Sequence, residues 1–110
     1  MPNYFHMPGL EWDEVPPGIS VFIPERYVAE FVRFLDLVIA QDTLELVDVH
    51  QPDSLSRWTT ASSEAGAFYF DDDDDALIIP ISEKTAASLS SEILAGAKES
   101  SFGEVRVAIV

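Results

Sequence analysis

Apolar, mostly β-branched positions dominate Gly18–Pro24, "GISVFIP", and the pattern then changes period. Ile19, Val21 and Ile23 share one face of this stretch, with Ser20 and Phe22 on the other, which predicts a β-strand bounded by Gly and Pro. From Glu25 to Gln41 the apolar positions recur at helical spacing. At about 100° per residue, Tyr27, Val28, Phe31, Val32, Phe34, Leu35, Val38 and Ile39 fall in one broad arc, opposite Arg26, Glu30, Arg33 and Asp36. This predicts an amphipathic helix that must lie against a sheet. Pro24 is tolerated just before its first turn, and Glu25 suits its positive end.

Thr43–His50, "TLELVDVH", predicts a second strand with Leu44, Leu46 and Asp48 on one face and Glu45, Val47 and Val49 on the other. Gln51–Gly66 is polar and rich in Ser and Thr, and reads as a long loop with at most a short strand around Trp58. Ala67–Phe70 and Ala76–Ile81 read as two strands joined by five aspartates, with Pro80 at an edge or a strand end because it lacks a ladder donor. Ser82 is a good N-cap for a helix running to Ala97 with Ala86, Leu89, Ile93 and Ala97 on its packing face. Phe102–Val110, "FGEVRVAIV", predicts the last strand.

The order β-α-β-β-β-α-β predicts an α+β fold. It resembles a split β-α-β, ferredoxin-like plan with an extra hairpin strand: a two-layer sandwich with one mixed sheet of four or five strands and both helices on one face. Residues 1–17 contain four prolines and read as an extended arm lying on the body through Tyr4, Phe5 and Trp12, with residues 18–110 as a single domain. Such a plan leaves the other sheet face bare. Phe22, Val47, Val49, Ala108 and Val110 are the candidates for that face, which the arm, a partner or a second copy in a homodimer would cover.

Charge changes the picture more than composition does. The chain has 110 residues, 20 acidic against 6 basic, and a net charge of −14. Residues 1–60 and 61–110 each carry ten acids and three bases, so each part contributes −7 and the acidity is no appended tail. An evenly negative surface disfavours direct contact with nucleic acid or an anionic membrane and favours a basic protein partner or a cation. There is no cysteine, which excludes disulfides and thiolate chemistry. Lacking a leader-like N-terminus or an apolar stretch of about 20 residues, the chain is expected to be soluble and cytoplasmic.

The candidate chemistry centres on Asp71, Asp72, Asp73, Asp74 and Asp75. An EF-hand loop starting at Asp71 needs Gly sixth and Glu twelfth, where Ala76 and Ser82 stand; a start at Asp72 gains Glu83 but not the Gly. A different divalent-cation site using Asp71, Asp73 and Asp75 is the alternative. Five acids in one solvated environment do not make the separated pair that carboxylate catalysis requires. Asp48, His50 and Asp53 lie close enough in sequence to suggest a metal site, but such groupings arise often near turns. No nucleophile elbow, Walker loop or dinucleotide-binding glycine motif occurs, so no catalytic residue and no cofactor is expected.

The expectation is therefore a non-enzymatic acidic protein that binds and neutralises a basic partner. Small acidic proteins that occlude nucleases (immunity proteins, antitoxins, phage inhibitors) share this charge and size. Asp71–Asp75 would make the main contact, with Trp12 and Trp58 as aromatic anchors and Arg57 beside them. A small structural or self-associating domain with a solubilising acidic hairpin is the plainer alternative.

Overall fold

The computed structural model describes residues 4–61, 67–71 and 76–110. It is an α+β fold with two helices and two mixed sheets. The five-stranded sheet has the order β1 (Tyr4–His6), β4 (Thr43–Asp48), β5 (Gln51–Thr60), β7 (Ala76–Ile81), β6 (Tyr69–Asp71). The four-stranded sheet has the order β2 (Glu11–Val15), β3 (Gly18–Ile23), β9 (Val105–Ile109), β8 (Glu99–Phe102). Pairs β1–β4, β5–β7 and β3–β9 are parallel and the rest antiparallel.

The single mixed sheet expected from the sequence is thus two sheets, and the reason lies in the helices. Helix α1 (Val28–Gln41) leaves β3 of one sheet and delivers the chain to β4 of the other; α2 (Glu83–Leu94) makes the return journey from β7 to β8. A strand–helix–strand pattern implies a crossover within one sheet only if both strands belong to it, and here neither pair does. Helix α1 packs on β4, β5 and α2, while α2 packs on α1 and β8.

The helices form where the pattern placed them, with altered ends. Glu25–Tyr27 is a 3-10 turn, and α1 proper starts at Val28 and buries Phe31, Phe34, Leu35 and Val38. Each of those side chains contributes about 1.5–3 kcal/mol of burial. Asp42, at φ 70°, ends α1, and its carbonyl accepts from the Thr60 amide at 2.9 Å. Ser82 caps α2, its hydroxyl accepting from Thr85 N–H at 3.1 Å. Helix α2 stops at Leu94 rather than Ala97 because Gly96 takes φ +101°. Gly96 N–H then donates to the Ile93 carbonyl and Ala97 N–H to that of Glu92, the paired closure of a Schellman end. The chain then forms β8, which turns at Gly103 into β9.

Two segments depart further from expectation. The stretch expected as an arm supplies β1 at an edge of one sheet and β2 at an edge of the other, with Met7 and Leu10 between them buried. Of the supposed loop Gln51–Gly66, residues 62–66 lie outside the described residues, and Gln51–Thr60 is the ten-residue strand β5, which lies in the middle of the five-stranded sheet. Its buried positions are Ser54, Ser56 and Trp58, and Leu55 and Arg57 point the other way. The period of two is present, but with hydroxyls inward.

Trp58 is fully buried and sits where the layers meet. Its ring lies 5.8 Å from Phe31, 5.7 Å from Phe34 and 6.2 Å from Phe102 of β8, centroid to centroid. Its indole N–H donates to Ser56 Oγ at 2.9 Å, which explains a buried serine two positions away on the same strand face. A close approach ties the β2–β3 hairpin to the β8–β9 turn: a Cβ on Gly18 would stand 2.3 Å from the Glu104 carbonyl oxygen, and that oxygen accepts from Ile19 N–H at 2.9 Å. Among the described residues no helix is long and apolar enough to cross a membrane.

The residues expected to form one bare apolar face do not share a sheet. Phe22 and Ala108 pair with each other in the four-stranded sheet. Val47 belongs to the five-stranded sheet, Val49 to the β4–β5 turn and Val110 to the chain end, and Ala108 is buried.

Candidate functional site

The site is built around the place where β2 meets the β4–β5 hairpin. Asp48, last residue of β4, fixes that junction. Its carboxylate accepts from Gly9 N–H at 3.0 Å, from His50 N–H at 3.0 Å and from Gln51 Nε2 at 3.2 Å. Its own N–H donates to Ser54 Oγ at 2.8 Å. The Gly9 donor above all, then that of His50, holds the Asp48 carboxyl below its ordinary value against the opposing effect of burial. Gly9 reaches it from a φ of +84°, a conformation that favours glycine. One buried acid thus joins the β1–β2 connection to the β4–β5 turn.

That commitment removes Asp48 from the metal site suggested by Asp48, His50 and Asp53. Among the described residues no three His, Asp or Glu side chains come together as they would around an ion. His6 Nδ1 accepts from Val49 N–H at 3.2 Å, and its ring stands edge-on to His50 at 6.0 Å.

Beside this junction lies an open cleft of about 600 Å³. Leu10, Trp12, Phe22 and Pro52 give it apolar lining; Glu11, Asp13 and Asp53 give it carboxylates, and His50 and Gln51 stand at its side. Glu11, Asp13 and Asp53 are all exposed. Trp12 is half-buried. Its indole N–H donates to the Leu55 carbonyl at 3.1 Å, and its ring lies 6.1 Å from Phe70 of β6, which is 6.0 Å from Phe68. Tyr69 and Phe70 are 55% and 44% exposed, so an aromatic seam reaches solvent beside the acidic strand.

The residues singled out from the sequence are dispersed. Trp12 lines the cleft, and Asp71 ends β6 opposite Ala76, on the same hairpin as Phe70. Asp72, Asp73, Asp74 and Asp75 lie outside the described residues, as do two of the three aspartates of the cation alternative. Trp58 is a correction: at 0% exposure it anchors the core and cannot anchor a partner. Arg57 is another, since strand alternation sends it to the opposite face. There its Nη2 meets Glu45 Oε2 at 2.9 Å across the β4–β5 pair.

Glu11, Asp13 and Glu14 were not singled out, although "EWDEV" carries a legible signal: three acids interrupted by one aromatic in five residues. The bases offer little to balance them. Lys98 pairs with Glu25 at 2.6 Å, Arg106 with Glu99 at 2.8 Å, and Arg57 with Glu45. Those partners hold the Glu25 and Glu99 carboxyls below their ordinary values. The chain matches no protein-family model and none of the curated proteins.

Proposed function

We propose that this protein is a non-enzymatic acidic binder that covers a basic surface of a partner protein, in the manner of small inhibitors and immunity proteins. The observation that carries the reading is the open cleft beside β2, lined by the exposed carboxylates of Glu11, Asp13 and Asp53 together with half-buried Trp12. Aromatic area supplies affinity, and surrounding charge of one sign selects the partner and speeds its arrival. Asp71, at the end of the strand that carries Phe70, adds a carboxylate of the same sign, and the net charge of −14 adds a long-range field.

Capture of partners from native cells at low salt, with the wild type beside a Glu11→Gln/Asp13→Asn/Asp53→Asn variant, tests the proposal. The wild type should retain a basic protein that the variant releases, and retention should fall steeply between about 50 and 200 mM salt, as exposed charges become screened. Equal retention of the same protein by both would remove the cleft from the interface. Parallel replacement of Asp71–Asp75 by Asn measures the share of the aspartate run.

A further inference from the structure

Strand β2 is an edge. It pairs with β3 on one side, and among the described residues no strand pairs with it on the other. Antiparallel ladders alternate between pairs that exchange hydrogen bonds and pairs that do not. Glu14 stands opposite Ile19, whose N–H turns the other way, to the Glu104 carbonyl. Glu14–Ile19 is therefore a non-exchanging pair, and so is Trp12–Val21 two residues along. The backbone N–H and C=O groups of Trp12 and Glu14 are thus directed at the free side of β2. An open row of this kind is a template for a further strand.

We propose that β2 receives an extended basic segment of the partner as a fifth strand of this sheet, in alternating basic and apolar order. The proposal rests on the acidic-binder reading and adds its mode. Glu11 and Asp13 lie two residues apart on one face of β2, so lysines or arginines two apart in the incoming strand would meet them as cross-strand pairs. On the other face stands Trp12, with Phe70 6.1 Å away, so the intervening residues should be apolar. The cleft supplies room beside Glu11, Trp12 and Asp13. A second copy is the wrong occupant: two β2 edges would bring Glu11, Asp13 and Glu14 against the same acids, and like charges directly opposite repel.

The test uses the whole chain and an acetylated hexapeptide alternating lysine and valine, with a glutamate–valine peptide as control. Binding is followed by titration calorimetry at low salt, and amide exchange is read with and without peptide. Slowed exchange is expected at Trp12 and Glu14, whose amides gain acceptors, and little change at Asp13, whose amide already serves β3. Glu14→Pro removes one outward donor and leaves the exchanging pairs with β3 intact, as edge strands allow. It should weaken the lysine peptide about tenfold, the scale of one lost hydrogen bond and its neighbours. Glu14→Gln separates the charge from the donor and should weaken it less. If the peptide binds but β2 exchange is unaltered, or if it binds the proline variant equally, the strand mode is wrong while the acidic binder stands. If the lysine peptide does not bind at all, the strand mode is also overturned, and the cell-capture comparison alone decides the broader reading. Should Glu14→Pro unfold the protein, the exchange pattern of the wild type decides.

Discussion

The two tryptophans do the same chemical thing in opposite settings. Each donates its indole N–H to an oxygen associated with β5, Trp58 to the Ser56 hydroxyl at 2.9 Å and Trp12 to the Leu55 carbonyl at 3.1 Å. Each packs edgewise or tilted on phenylalanine. Trp58 is enclosed by α1 and β8 and has no contact with solvent; Trp12 lies on an edge strand with acids on both sides in sequence. Identical side-chain chemistry therefore yields a structural centre in one place and a surface for recognition in the other. What separates them is whether the groups around the ring are all occupied within the chain.

The most severe way to test that contrast is Trp58→Ala. It empties the position at which both sheets and α1 converge, and removing a buried Trp costs about 3–5 kcal/mol. For a chain of this length, that is a large part of total stability. Urea denaturation should show a much lower midpoint or no cooperative transition. A midpoint shifted only slightly would mean that the core does not depend on this ring. Ser56→Ala comes next. It leaves the indole N–H buried without an acceptor, a loss of about 1–3 kcal/mol. Trp58→Phe in the same background should recover part of it, because the ring without an N–H needs no acceptor.

These two residues also show what could be read from the sequence. The alternation in Gly18–Ile23, the helical arc of Val28–Gln41 and the cap at Ser82 were legible because apolar side chains mark the buried face directly. Strand β5 was not, because its inner face carries Ser54 and Ser56, and buried hydroxyls look like a loop until their partners, Asp48 N–H and Trp58 Nε1, are known. Those partners lie six and two residues away, yet only the fold reveals which face they share. The same blindness placed Trp58 and Arg57 together as a surface pair, although adjacent strand residues point apart. The split into two sheets was hidden for another reason: local periodicity says that a strand follows a helix, not which sheet that strand joins. At the site, Trp12 was legible as an aromatic in a polar setting. The contribution of Glu11 and Asp13 emerged only once β2 proved to be an edge.

Acid titration separates the two regions more finely, through Asp48, which joins them. Its folded-state pKa is lowered, so the carboxylate contributes stability that is fully present above its ordinary value of 3.8 and is lost as pH falls through the lower folded value. Glu25 and Glu99, also lowered, act in the same direction from an ordinary value of 4.5. Thermal midpoints of the wild type should therefore decline below about pH 4, the ordinary carboxylate range. Asp48→Asn should reduce the midpoint at pH 7 and flatten this acid limb. Gly9 and His50 donate to different oxygens of Asp48, so the amide keeps an uncharged acceptor for only one of them. An acid limb of unchanged steepness in Asp48→Asn would assign the loss to other carboxylates and detach Asp48 from the junction.

The smallest expected effect bears most directly on the comparison. Trp12→Phe keeps an aromatic ring near Phe70 and removes the indole donor to the Leu55 carbonyl. Because Trp12 is only half-buried, water can replace that donor, and the cost in stability should stay below about 1 kcal/mol, the net worth of an ordinary hydrogen bond. Ser56→Ala, which disturbs the same kind of bond in the interior, should cost more, and the difference between the two denaturation midpoints measures how far burial alone sets the value of an indole N–H. Binding should reverse the ranking. The loss of the lysine–valine peptide should be greater in Trp12→Phe than in Ser56→Ala, since the first alters the ring at the cleft and the second alters a group that no partner can touch. Equal stability costs would make Trp12 a second core residue, and unchanged peptide binding in Trp12→Phe would leave the cleft's contribution to its carboxylates and backbone edge.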